Sequence, residues 1–143
     1  MAFNTYSFKN VTVVIEHPAI GSMSTEGDGV GSISVTMSND KSSHNLAADG
    51  TVMISKIAGS NGTVAIAVQQ VSQANEYLKK LYNYCEANED SSFAATTIRI
   101  TDKNANDIYT CTGVTPQKLA DTKYAAQGDL RTWNMLAAEI TTA

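Results

Sequence analysis

Apolar residues recur at every second position along much of this chain. Between Val30 and Ser38, Ile33, Val35 and Met37 alternate with Ser32, Ser34, Thr36 and Ser38. Such a strand has one apolar face and one hydroxyl face. Val11–Glu16 is β-branched and is bounded by His17-Pro18. Thr51–Ile57 and Thr63–Gln70 flank Ala58-Gly59-Ser60-Asn61-Gly62. Asn61-Gly62 suits the positive φ angles of a type I′ turn, so these two runs predict a hairpin. Thr96–Thr101 and Ile108–Val114, joined by the polar Asp102–Asp107, predict another, and Leu130–Ile140 reads as a final bent strand.

One segment changes period. Leu78, Leu81, Tyr82 and Cys85 fall at i, i+3, i+4 and i+7, behind Ser72 as N-cap and Glu76 near the positive end of the dipole. This predicts a helix that buries those four residues on a sheet and turns Lys79, Lys80, Asn83 and Glu86 outward. The expectation is a single domain over residues 1–143, mainly antiparallel β with seven or eight strands. Two packed sheets, sandwich- or barrel-like, would carry one flanking helix. Two polar stretches, Ala19–Gly29 and Asn39–Gly50, are left as long loops, which in a compact domain are uncommon unless they bind something or are disordered.

Composition narrows the function. Ten Lys+Arg against 14 Asp+Glu give a net charge of −4, without the basic footprint of a sequence-specific DNA binder. No apolar run is long enough to span a membrane, and Met1–Tyr6 does not resemble a signal peptide, so synthesis in a cytoplasm is expected. Cys85 and Cys111 form neither a disulfide framework nor a CxxC motif and read as buried thiols.

The chemistry-bearing residues do not converge. Gly27–Ser32 lacks the last glycine of GxGxxG and precedes a strand rather than a helix. His17 and His44 have no partner at ligand spacing, and no GxSxG is present. A Cys85–His44 nucleophile pair conflicts with the place of Cys85 in the helix stripe. Glu86, Glu89 and Asp90, and also Glu26 and Asp28, read as solvated acidic loops rather than glycosidase pairs. Tyr77, Tyr82, Tyr84, Tyr109, Tyr124 and Trp133 are not interleaved with basic residues, which disfavours a single-strand platform. The sequence therefore predicts a non-enzyme with no catalytic, cofactor or metal site.

Lys9-Asn10-Val11-Thr12-Val13-Val14-Ile15, the run from Ala58-Gly59-Ser60-Asn61-Gly62-Thr63-Val64 into Ser72–Tyr84, and Gly128-Asp129-Leu130-Arg131-Thr132-Trp133-Asn134-Met135 resemble the tail tube proteins of contractile-tailed phages. The resemblance covers most of the chain, although no short motif signs the family. It implies a virion protein whose homo-hexameric rings stack into a hollow tube. A tail sheath would surround that tube, and a tape measure protein and double-stranded DNA would occupy or pass through it without specific binding. Secretion-system and bacteriocin tubes share the fold. A capsid decoration or receptor-binding β-sandwich is the alternative from another class. On this reading Asn39, Asp40, Lys41, Ser42, Ser43, His44, Asn45 and Asp49 are candidates for contacts between subunits or rings. Glu26, Asp28, Ser32, Ser34 and Thr36 are candidates for the lumen.

Overall fold

The computed structural model describes residues 3, 5–25, 29–88, 92–103 and 105–143. After a 3-10 turn at Phe8–Asn10 come β1 (Val11–His17), β2 (Gly21–Thr25), β3 (Val30–Met37), β4 (Ser42–Leu46), β5 (Val52–Lys56) and β6 (Gly62–Gln69). The helix α1 (Gln73–Ala87), β7 (Thr96–Asp102), β8 (Asp107–Pro116) and β9 (Leu130–Thr142) follow. The fold is mainly antiparallel β with one helix, as the periodicity predicts. Seven strands form one sheet in the order β2-β1-β7-β8-β9-β6-β3, and β4 and β5 form a separate pair.

Chain connectivity forces the large sheet to curl. β2 and β3 are its two edges, yet Thr25 and Val30 are five residues apart in sequence. A chain that short spans at most about 18 Å, so the edges must come round toward each other. A bulge assists: Thr96 pairs with Val114 but Ile98 with Cys111, and the intervening Gly113 has φ +62°. The extra residue bends β8 and moves its inward phase from Cys111 to Val114, and β9 follows from Ile140 to Ala137. A Cβ at Gly113 would lie 2.7 Å from that of Ala138. Thus the second sheet is not a facing layer of equal size. The curled sheet wraps its own core, in which Val13 and Ile15 of β1, Val64 and Ile66 of β6, Ile98, Met135 and the helix form one cluster.

α1 covers one end of this barrel. Ser72 Oγ accepts the Asn75 amide N–H at 3.2 Å and so caps the helix. Leu78, Leu81 and Cys85 are buried together with Ala74 and Asn75, while Tyr82 is only half-buried beside Trp133. The Trp133 indole donates to Asn75 Oδ1 at 3.0 Å, both residues being buried, and Asn75 Nδ2 donates to the Gln70 carbonyl at 3.2 Å. Tyr77 OH donates to the Gly21 carbonyl at 2.7 Å and ties the helix to β2. His17, also buried, accepts the Ala19 N–H on Nδ1 at 3.1 Å, which leaves Nε2 to donate to the Ser92 carbonyl at 2.9 Å. It is therefore a satisfied core histidine that pins the chain after α1 to the β1–β2 turn. Among the described residues no helix is long and apolar enough to cross a membrane.

Three substitutions separate these contributions in denaturant melts on an assembly-blocked background. Leu81→Ala is expected to cost ~2–5 kcal/mol through lost burial and the residual cavity. Asn75→Ala, which strands a buried indole N–H, is expected to cost ~1–3 kcal/mol. Lys79→Ala, on the exposed face, should stay within about 0.5 kcal/mol. Equal losses for Leu81→Ala and Lys79→Ala would contradict the assigned buried face.

Candidate functional site

The residues singled out between Asn39 and Gly50 do not form a loop. Ser42, Ser43, His44 and Asn45 belong to β4, which pairs with β5 from Ser42↔Lys56 to Leu46↔Val52. The turn between them is built on Asp49-Gly50: Asp49 Oδ1 accepts the Thr51 N–H at 3.0 Å, and Gly50 has φ +92°. The two hydrogen bonds from Thr51 hold the exposed Asp49 carboxyl below its usual range. The expected hairpin of Thr51–Ile57 with Thr63–Gln70 is accordingly replaced, because β5 turns back on β4 while β6 pairs with β3 and β9. Asn61-Gly62 is no turn. Gly62 starts β6, where a Cβ would lie 2.3 Å from the Thr36 carbonyl oxygen, so glycine permits the close approach of β3. Likewise Ala19–Gly29 contains β2.

The hairpin stands away from the barrel on a clamped root. Asn39 Nδ2 donates to Asn61 Oδ1 at 2.8 Å, the Ser38 N–H to the Asn61 carbonyl at 3.0 Å, and the Ile57 N–H to the Lys41 carbonyl at 2.9 Å. Lys41 Nζ reaches Ser60 Oγ at 3.2 Å and also the Gly59 carbonyl. Beyond this root, Asp40 and every residue of β4 are exposed. Leu46 is 72% exposed, Met53 61% and Ile54 69%.

The second surface is the outward face of β3, β6 and β9. Register aligns Ser32 with Ala67 and Thr132, Ser34 with Ala65 and Asn134, and Thr36 with Thr63 and Leu136. Directly opposed residues share a face, so nine side chains form a patch with no charge. Charge enters beyond this patch: Arg99 of β7 stands opposite Val14 of β1, and Glu139, in the C-terminal part of β9, stands opposite Thr112 of β8. Glu26 and Asp28 lie outside the described residues, as do Glu89 and Asp90.

Reactive groups are kept apart. Cys85 is buried and His44 is exposed on the hairpin, so they make no nucleophile pair. Among the described residues no group of three or more His, Cys, Asp or Glu could hold a metal ion. Burial pushes both thiols above their usual range, with the Glu86 carboxylate adding to the effect at Cys85. The unfolded thiols therefore ionise first, so their contribution to stability is present below about pH 8.5 and falls as pH rises beyond it. Iodoacetamide at pH 8 should leave Cys85 and Cys111 unmodified until denaturant is added. Rapid alkylation of the native protein would contradict their burial.

The described residues thus form a curled antiparallel sheet plugged by one helix, with a projecting hairpin. Residues 3–143 match the family described as "Bacteriophage PhiTE tail tube protein". The chain belongs to this phage tail tube family. No curated protein matches it. Solved structures are similar across nearly their whole length at very low identity. The sheath/tube terminator of the PVC extracellular contractile injection system has a TM-score of 0.68 at 10% identity, covering 100% of this chain and 99% of that one. The sheath–tube complex of the same system gives 0.63 at 11%, covering 97% and 91%. The tube-terminating cap of the anti-feeding prophage gives 0.63 at 9%, covering 100% and 93%. These likenesses concern the fold.

Proposed function

We infer that this chain is the repeating subunit of a phage tail tube, assembled as hexameric rings that stack into a hollow conduit. Family membership supplies the class, and the uncharged outward patch of β3, β6 and the N-terminal part of β9 (Thr132, Asn134 and Leu136) is the observation that carries the finer reading. A lumen through which DNA slides must not hold phosphates, because each neutralising Lys or Arg adds a salt-dependent binding contribution. Rows of Ser, Thr, Ala and Asn give water a hydrogen-bonding surface without offering cations. Ser32, Ser34 and Thr36 thus line the channel, with the tape measure protein and then double-stranded DNA inside. The sheath encloses the outside, a placement supported by likeness to a chain from a sheath–tube complex. The role is structural and non-enzymatic, in a virion tail assembled from chains made in the host cytoplasm.

The clamped hairpin is the element that joins subunits or rings. Asn39 and Lys41 hold its root, Ser42, Ser43, His44 and Asn45 lie on its first strand, and Asp49 shapes its tip. Negative-stain microscopy of the purified protein is expected to show sixfold rings and tubes. Replacing Ser42–Lys56 by a short glycine linker should leave a folded, helix-containing barrel that no longer polymerises. Normal tubes from that variant, or only monomers from the intact chain at every ionic strength, would contradict the reading. Rings that never stack would mark a tube terminator instead.

A further inference from the structure

The fold leaves Asn61-Gly62 without a turn to make, since Gly62 opens β6. Asn61 is the only asparagine in the chain followed by glycine, and that dipeptide carries a chemistry of its own. Asparagine is among the thermolabile residues. Glycine has no Cβ to shield its backbone nitrogen, so in a mobile chain that nitrogen reaches the asparagine side-chain carbon and closes a cyclic imide.

The fold seats the two reactants differently. Asn61 is exposed at the root of the hairpin, whereas Gly62 is buried. Gly62 lies between Met37 of β3 and Ala137 of β9, and the Asn61 carbonyl accepts the Ser38 N–H at 3.0 Å. One residue earlier, the Ser60 carbonyl accepts the Ile140 N–H at 2.8 Å. The peptide plane between Asn61 and Gly62 is thus held from both sides, and it must rotate before the nitrogen can meet Cγ. Asn39 restrains the side chain, its Nδ2 donating to Asn61 Oδ1 at 2.8 Å. Lys41 fastens the residues just before, through the Gly59 carbonyl and Ser60 Oγ.

We propose that Asn61 is a site of spontaneous covalent modification, held off by the folded hairpin root. The Gly62 nitrogen gives its proton to solvent and bonds to Cγ of Asn61. The Cγ–Nδ2 bond breaks, and ammonia leaves with a proton regained from water. A water molecule then opens the imide. Attack at Cγ restores the ordinary backbone with an aspartate side chain, whereas attack at the former main-chain carbonyl leaves the chain running through Cγ, as isoaspartate. The site tolerates these products unequally. A carboxylate at position 61 still accepts from Asn39, with the Lys41 ammonium fixed on the adjoining Ser60. An isoaspartate adds one carbon to the main chain where there is no slack, because a Cβ on Gly62 would already lie 2.3 Å from the Thr36 carbonyl oxygen and 2.6 Å from Ile140 Cδ1. The longer link pushes Gly62 out of register and breaks the Ser38–Asn61 bond, which loosens the hairpin from its barrel. All of this follows from the single chain and does not depend on tube assembly.

Ageing the intact protein in mildly alkaline buffer, with and without denaturant, tests this by peptide mass spectrometry. In denaturant Asn61 should be the first asparagine converted, with isoaspartate counted by methyl transfer from an isoaspartyl methyltransferase. In native buffer its conversion should be roughly tenfold slower or more, because the reaction waits for local opening of the strand. Asn39→Ala and Lys41→Ala should each narrow that gap at Asn61 alone, with far-UV circular dichroism and Trp133 fluorescence verifying the fold. In hydrogen exchange the isoaspartate fraction should lose protection of the Ser38 amide, while Asn61→Asp keeps it. Another asparagine converted first in denaturant, equal native and denatured rates, or a native rate at Asn61 that neither variant changes would overturn the proposal. So would a Ser38 amide that stays protected in the isoaspartate fraction.

Discussion

A buried hydrogen bond, from the Trp133 indole to the Asn75 side chain, sets which end of the barrel is closed. Trp133 lies near the start of β9 and Asn75 in the first turn of α1, so the bond fixes the helix over the sheet at that end. In a low-dielectric core such a pair is stable only when both partners are satisfied. Asn75 meets that condition with a second bond to the Gln70 carbonyl. Once the helix is seated, Leu78 and Leu81 join the core and Tyr77 anchors β2. At the other end, among the described residues, no helix covers the apolar groove lined by Phe8, Ile33, Val35 and Tyr109.

The curl that creates those two ends follows from topology rather than from any single contact. Consecutive strands β2 and β3 occupy opposite edges, and the short link between them leaves a flat sheet no room. Gly113 and the β8 bulge place the bend where Cys111 and Val114 can both point inward. The same curl puts the hydroxyl-bearing sides of β3, β6 and β9 on one continuous outer surface. Charge segregates accordingly: Glu16 and Arg99 stand on the other half of the sheet. Net negative charge alone says little about a conduit. The uncharged patch at defined register is what supports the proposed conduit wall.

Much of this was legible in the residues. The alternation in β3, the β7–β8 hairpin and the helix with its Ser72 cap are local patterns, and local patterns survive folding when packing agrees with them. What escaped was decided at long range. Asn61-Gly62 and Asp49-Gly50 carry equal turn signals, and only the approach of Thr36 to Gly62 shows which dipeptide makes the turn. β4 reads as a polar loop because Ser42–Asn45 has no apolar periodicity. Its strand character comes from pairing with β5, on which most apolar residues of the hairpin lie. Asn75 was missed because an asparagine on the apolar side of a helix has no meaning until a tryptophan from residue 133 arrives above it. The periodicity places Trp133 on the last strand, where the structure has it, but its partner lies 58 positions away. The hydroxyl face of β3, proposed for the lumen, is visible in the alternation of residues 32–38, while its extension through Ala65, Ala67, Thr132 and Asn134 requires the register.

The central claim is that the uncharged patch of β3, β6 and the N-terminal part of β9 lines a tube, and size-selective labelling of assembled tubes tests it most directly. With Ser34→Cys, a small maleimide should enter the channel and label the introduced thiol, while a maleimide carried on a protein too large for the channel should leave it unlabelled. Arg99→Cys, on the charged half of the sheet, would become the protected site instead if the barrel were mounted the other way round. Protection of Ser34→Cys against the bulky reagent alone is the predicted result. Labelling of Ser34→Cys by both reagents in intact tubes would contradict the account.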